Sequence, residues 1–169
     1  MDYCLPCNHS HKIRQMGQLI INSYEEFESH VGKELGVSAY HKITQEQINQ
    51  FAEATLDHQW IHVDEERARK ESPYGATIAH GYLSVSVLPY LWYQIIQVNN
   101  ITMLVNYGIE SLKFGQPVVV NSEVRIRTVL KALTNLRGTA KAEVEVTMEI
   151  KDSQKNAFKG VIIFLYQFK

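Results

Sequence analysis

Thr77-Ile78-Ala79-His80-Gly81-Tyr82-Leu83 opens a run, continuing through Val87, Leu88, Leu91, Ile95 and Ile96 to Val98, that is almost wholly apolar. Only Gln94 and Gln97 are clearly polar late in it, which leaves little face for water. The segment therefore predicts a helix buried in the middle of the protein. Pro89 predicts a kink, or the end of a first half, because proline has no N–H to continue the hydrogen-bond ladder.

Downstream, the pattern changes to strands over 101–114, 118–131, 137–152 and 157–168, separated by turns such as Gly115-Gln116-Pro117 and Lys151-Asp152-Ser153. In the third of these, Val144, Val146, Met148 and Ile150 alternate with Glu143, Glu145, Thr147 and Glu149. One face is packed and the other faces water. A long antiparallel meander after one buried helix predicts an α+β fold, a sheet wrapped around a central helix.

Upstream, two capping boxes punctuate the chain. Ser23-Tyr24-Glu25-Glu26 predicts a short helix over 24–30, ended by Gly32 and Gly36. Val37 to Ile43 predicts a strand, and Thr44-Gln45-Glu46-Gln47 opens a helix that carries Ile48, Phe51, Ala52 and Thr55 on one face and ends near Leu56. From Asp57 to Gly75 the chain turns polar and irregular, with a helical run around Glu65 to Lys70 and turn chemistry in Ser72-Pro73-Tyr74-Gly75. A loop this rich between regular elements is often functional.

The composition narrows the partners. The 169 residues suit one domain, expected over 18–169, and the 45% apolar and 21% charged content is that of a globular protein. Lys and Arg number 17 against 18 Asp and Glu, so there is no cationic excess for gripping nucleic acid. No apolar stretch reaches the ~18 residues needed to span a bilayer, and no secretory leader is evident; a cytoplasmic protein without a membrane partner is expected. Residues 1–17 read as a poorly ordered polar tail. Cys4, Cys7, His9 and His11 carry metal-ligand chemistry, but all four crowd the terminus instead of closing a loop between separate elements.

Reactive side chains concentrate in Asp57-His58-Gln59-Trp60-Ile61-His62-Val63-Asp64, followed by His80-Gly81. Three accounts compete. His58 and His62 at i, i+4, or His62-x-Asp64 with His80, imitate a metal set, although a zincin needs glutamate where Gln59 stands. In a purely structural account Trp60 and Ile61 plug an apolar groove, Asp57 caps the next helix and the histidines are satisfied polar groups. In the third account Asp57 and His62 hold one water between a carboxylate and an imidazole and act as acid and base. The start of the buried helix then receives the developing negative charge: its free N–H groups and dipole favour an oxyanion, and Gly81 lets a carbonyl approach the backbone.

Asp57 to Asp64 together with Thr77 to Leu83 resembles the MaoC-like dehydratases, the hydratase 2 or R-specific enoyl-CoA hydratase family, and in particular its NodN-like branch. Val105-Asn106-Tyr107-Gly108, Lys113-Phe114 and Pro117-Val118 are similar to that branch as well. The resemblance spans about residues 20–168. It implies the hot-dog fold and hydration of a trans-2-enoyl-CoA to the (3R)-3-hydroxyacyl-CoA. Asp57 and His62 would grip the water, and Gly81 would polarise the thioester carbonyl. Trp60, His80, Tyr82 and Phe114 are the expected substrate-contacting residues, with no metal and no cofactor beyond the CoA of the substrate.

The resemblance further implies a homodimer or larger assembly, with the acyl tunnel at the subunit interface and its depth set by Tyr82, Trp92, Tyr93 and Phe114. For the phosphates of CoA, Lys113, Arg125 and Arg127 are the basic residues considered, the arginines reading more simply as a solvated strand face. Two departures stand out: Leu56 replaces a glycine that often precedes the aspartate, and Gln59-Trp60 stands where many active members have Asn-Pro. A hot-dog thioesterase and a non-catalytic dimer that binds acyl thioesters are the alternatives.

Overall fold

The computed structural model describes residues 18–169; the expectations for the tail and for Cys4, Cys7, His9 and His11 lie outside the described residues. Four long strands carry the fold: β5 (Ile101–Phe114), β6 (Glu123–Leu136), β7 (Thr139–Ile150) and β8 (Asn156–Phe168), with β2 (Glu34–Val37) and β3 (His41–Lys42) both pairing with β6. The order β2-β6-β7-β8-β5 places β5 at one edge, and every pairing in this sheet is antiparallel. β7 realises its sequence pattern residue by residue, with Ala140, Ala142, Val144, Val146, Met148 and Ile150 buried and their neighbours half-buried.

Two helices lie against this sheet, α5 (Gly81–Ser86) and α6 (Leu88–Ile95), leading into β4 (Ile96–Val98). β4 pairs in parallel with β1 (Leu19–Ile21). The architecture is the expected hot dog, but the central helix is shorter than its apolar run and is interrupted. Residues 77–80 are extended instead, because Ala79 N–H donates to the Val118 carbonyl and Ile78 bridges Val119. Val87 separates the two helices, and Pro89 sits in the first turn of α6, where its missing N–H costs nothing. The run is also not buried all round: Leu83, Leu88, Leu91, Trp92 and Ile95 face the core, whereas Tyr82, Tyr90 and Tyr93 are exposed.

Aromatic packing joins helix to sheet. The Trp92 ring stacks on Phe164 with centroids 5.0 Å apart, and its indole N–H donates to Tyr166 Oη at 2.9 Å. Burial of that phenol pushes its pKa up. Phe27 closes the same cluster, edge-on to Tyr166 at 5.5 Å. Trp92 is thus part of the core, with its polar atom satisfied, and together with Tyr93 it also lines a cavity of about 320 Å³ at this end of the sheet.

Both capping serine and threonine act as expected. Ser23 accepts from Glu26 N–H ahead of α1 (Tyr24–Glu28), and Thr44 from Gln47 N–H ahead of α2 (Gln45–Thr55). The reciprocal halves of the boxes differ: Glu26 accepts from Asn22 N–H, and Gln47 pairs with His41. Gly32 has positive φ in the turn after α1, whereas Gly36 lies within β2 at a register shift and ends no helix. The strand expected over 37–43 is split, since Ser38 Oγ accepts from Ile126 N–H and Ala39 N–H turns away to Gln94.

Candidate active site

The chain between α2 and α5 builds the site. α2 ends at Leu56, whose φ of 61° and ψ of 21° are left-handed and whose side chain is 80% exposed. A branched side chain in this region costs on the order of 1 kcal/mol. The position therefore uses the conformation a glycine supplies freely, and Leu56 adopts it under strain. The turn delivers Asp57 and is followed by α3 (Trp60–Val63) and α4 (Glu65–Glu71). The residue capping α3 is Gln59, without a side-chain bond, so Asp57 is not a helix cap. Asp64 takes that part for α4, accepting from Arg67 N–H at 2.9 Å.

His62, 8% exposed, is fixed by its Nδ1, which donates to the Ile78 carbonyl at 2.7 Å. The carbonyl can only accept, so Nδ1 carries the hydrogen and Nε2 holds the lone pair. Burial pushes the His62 pKa below the usual value and the neighbouring His80 adds to this, against the opposing effects of the Ile78 carbonyl and Asp57. His62 is therefore a neutral imidazole at neutral pH, with a basic nitrogen.

His80 stacks on His62 with ring centroids 3.8 Å apart, and Phe51 packs against the His80 ring with centroids 5.1 Å apart. By the same reasoning its Nε2–H donates to the Asp57 carbonyl at 2.9 Å, and the Asp57 carboxylate lies 4.0 Å from that nitrogen. Among the described residues His80 Nδ1 is buried without a hydrogen-bond partner. Asp57, His62 and His80 each present a ligand-type atom within 4.8 Å of the others. His58, the other histidine of the metal spacing, points away and lies 3.7 Å from Glu53.

A cavity of about 150 Å³ opens between His62, Gly81, Ser84, Phe114, Gln116 and Val118. Gly81 begins α5, and no side chain caps its first turn, leaving the leading N–H groups directed out of the helix start. Phe114 closes against Gly81 so tightly that a Cβ on the glycine would stand 3.0 Å from the ring. A methyl at this position would press on the ring, and either the ring or the backbone would have to give by a few tenths of an ångström.

The structure thus brings together Asp57, His62, His80, Gly81 and Phe114. Tyr82 is 70% exposed with its ring edge-on to Phe114 at 5.9 Å, beside the cavity but not in its wall. Trp60 is not in the wall either; Arg67 covers its ring at 4.4 Å. Arg125 and Arg127 both pair with Glu149, and Arg127 also with Glu34, which is the solvated-face reading of the two arginines. Their hydrogen bonds outweigh the burial that pushes Glu149 up, and hold its carboxyl below the ordinary range.

Sequence reasoning missed Ile78, whose carbonyl sets the His62 tautomer, because a backbone acceptor leaves no mark in residue type. It also missed Ser84 and Gln116, which line the cavity from α5 and from the turn after β5.

Comparison with known proteins agrees with this geometry. The family model described as the MaoC like domain matches residues 26–153. The chain is 43% identical over 136 residues to "3-hydroxyacyl-thioester dehydratase Z" of Mycobacterium tuberculosis, covering 80% of this chain and 89% of that one. It is 40% identical over 149 residues to "Nodulation protein N" of Rhizobium leguminosarum bv. viciae, covering 86% and 92%. The unliganded R-hydratase of Pseudomonas aeruginosa superposes with a TM-score of 0.69 at 16% identity over 86% of each chain, a likeness of fold. The chain belongs to the MaoC-like dehydratase family.

Proposed function

We propose that the protein is an (R)-specific enoyl-CoA hydratase, and in reverse a 3-hydroxyacyl-CoA dehydratase. The observation that carries this is the neutral, buried His62, with the lone pair on its Nε2, grouped with the Asp57 carboxylate beside an uncapped helix start. A water held by both groups gives its proton to His62 Nε2 as its oxygen bonds to C3 of the enoyl thioester. The π electrons move to the thioester oxygen, where the Gly81 N–H stabilises the enolate. Return of the same proton to C2 completes a syn addition. His80 is a positioning residue: it buttresses the His62 ring and ties the Asp57 backbone.

A homodimer completes the site in this proposal. The cavity of about 150 Å³ is too small for an acyl chain and its thioester, and β5 leaves a 14-residue edge with Met103, Tyr107 and Ile109 exposed. A long apolar edge strand is normally covered. Light scattering after size exclusion should return twice the chain mass.

The test of function is loss of the conjugated enoyl-thioester absorbance with crotonyl-CoA and longer 2-enoyl-CoA substrates, with chiral analysis of the product. Turnover to the (3R) alcohol is expected. Release of free thiol would reassign the protein as a thioesterase, and tight binding without turnover as a carrier of acyl thioesters.

A further inference from the structure

The two serines of α5 use their hydroxyls differently. Ser86 does what a serine inside a helix commonly does and donates to the carbonyl four residues back, that of Tyr82, at 2.7 Å. The backbone of Ser84 makes the equivalent bond, its N–H donating to the His80 carbonyl at 3.2 Å, but among the described residues its hydroxyl makes no hydrogen bond. Ser84 is nevertheless only 4% exposed. The other buried serines and threonines are paired: Ser38 with Ala39 and Ile126, Ser72 with Tyr74, Thr77 with Gln45 and Thr128 with Gly36. A buried hydroxyl is costly without a partner, so that of Ser84 points to a ligand that supplies one.

Ser84 lines the cavity of about 150 Å³ together with His62 and Gly81. Side chains of a helix lean toward its N-terminus and cover the turn before their own Cα. The hydroxyl of Ser84, three residues after Gly81, therefore stands over the turn that Gly81 begins. Much of the surrounding backbone is already committed: the Ile78 carbonyl accepts from His62, Ala79 N–H donates to the Val118 carbonyl and Gly115 N–H to that of Ala157. Gln116, another polar side chain of the wall, is exposed and accepts from Ser153 at 3.5 Å. The groups left for a ligand sort by role. His62 Nε2 and the Asp57 carboxylate accept, whereas Gly81 N–H and the Ser84 hydroxyl can donate.

We propose that Ser84 is a second hydrogen-bond donor to the thioester oxygen, beside the Gly81 N–H. The proposal rests on the hydratase reading and adds to it a residue that touches the reacting group. A carbonyl oxygen has two lone pairs and only accepts, so two converging donors match it. The water is a poorer partner for Ser84: its hydrogens go to His62 and Asp57, and a donor on the attacking lone pair would blunt it as a nucleophile. As negative charge moves onto the thioester oxygen in the enolate, a donor already in place and shielded from solvent strengthens its bond. The hydroxyl keeps its proton throughout, so the proton count of the addition is unchanged.

The test pairs turnover with the infrared carbonyl stretch of bound butyryl-CoA labelled with carbon-13 at the thioester carbon. This ligand has no double bond to hydrate, so the infrared arm reads the donor independently of the reaction. Wild type should lower the stretch relative to free ligand, and Ser84→Ala should move it back toward the free value. In the hydration assay Ser84→Ala should lose about 100-fold in kcat while its affinity for butyryl-CoA stays within about ten-fold of wild type. Ser84→Thr and Ser84→Val exchange a hydroxyl for a methyl at nearly equal volume; the threonine variant should keep the infrared shift and most of the turnover, and the valine variant should lose both. Ser86→Ala is the control and should match wild type in both readouts. Wild-type kcat and stretch in Ser84→Ala would overturn the proposal. So would a fall in kcat with the stretch unchanged, which would place the hydroxyl on the water or in packing, and so would equal losses in the threonine and valine variants. No hydration by wild type, with a stretch that responds to Ser84→Ala, would overturn the hydratase reading and leave the donor assignment standing.

Discussion

Strands β6 to β8 and the segment from Leu56 to Gly81 are built by different rules. In the strands, side chains alternate between core and surface, the ladder satisfies the backbone, and charges such as Arg125, Arg127 and Glu149 neutralise one another. The segment has a left-handed leucine, a buried histidine nitrogen without a partner among the described residues, an uncapped helix start and a neutral imidazole held by a single carbonyl. The regular region provides stability; the irregular one spends some of it to leave polar groups available for chemistry. Substitutions in the two regions should therefore separate stability from turnover.

The largest expected effect on stability is Phe164→Ala. It removes a fully packed ring from between Trp92 and Tyr166, and denaturant unfolding should show a loss of about 3–5 kcal/mol. Gly81→Ala should show the opposite profile. Its methyl meets Phe114 at 3.0 Å and displaces either the ring or the N–H donor, so kcat should fall about ten-fold or more while stability changes by less than about 1 kcal/mol.

Acid should sharpen the contrast. The His62 value lies below that of an unfolded histidine, so between the two values the unfolded chain binds a proton that the folded chain does not. Stability should fall as pH drops through about 6.5 toward the folded value, and His62→Gln should remove that part of the fall. For the same reason the acid limb of kcat/KM should lie below pH 6.5, as the lowered His62 value requires.

Much of the sheet was legible in the sequence because period-two alternation is a local pattern; the burial of β7 follows it at every position. The central helix was legible as an apolar run but not in its limits. Thr77 and Ala79 satisfy their backbone against Val120 and Val118, a pairing made across about forty residues of chain, and nothing local announces it. Asp57, His62 and Gly81 could be singled out by residue type and spacing, but those left three accounts open and only the family resemblance favoured the catalytic one; the structure groups Asp57 with His62 and places His62 and Gly81 on one cavity. The contacts of His80 and Ile78 depend on which segment meets which, and emerged only in three dimensions.

The smallest expected effect bears on the strain at Leu56. Relief of left-handed geometry is worth about 1–2 kcal/mol and the added freedom of an unfolded glycine costs about 0.4–1 kcal/mol, so Leu56→Gly should gain about 0.5–1 kcal/mol in denaturant unfolding. A loss of stability would mean that the exposed side chain makes contacts that outweigh its strain.

The central claim is that His62 and Asp57 activate one water. Its most direct test is the hydration rate of His62→Ala and Asp57→Asn beside wild type, with the CoA affinity of each variant measured in parallel. The account predicts that kcat falls about 100-fold or more in both variants while CoA affinity stays within about two-fold, and that a chelator leaves wild-type turnover unchanged. Wild-type turnover in either variant, or abolition of activity by the chelator, would contradict it.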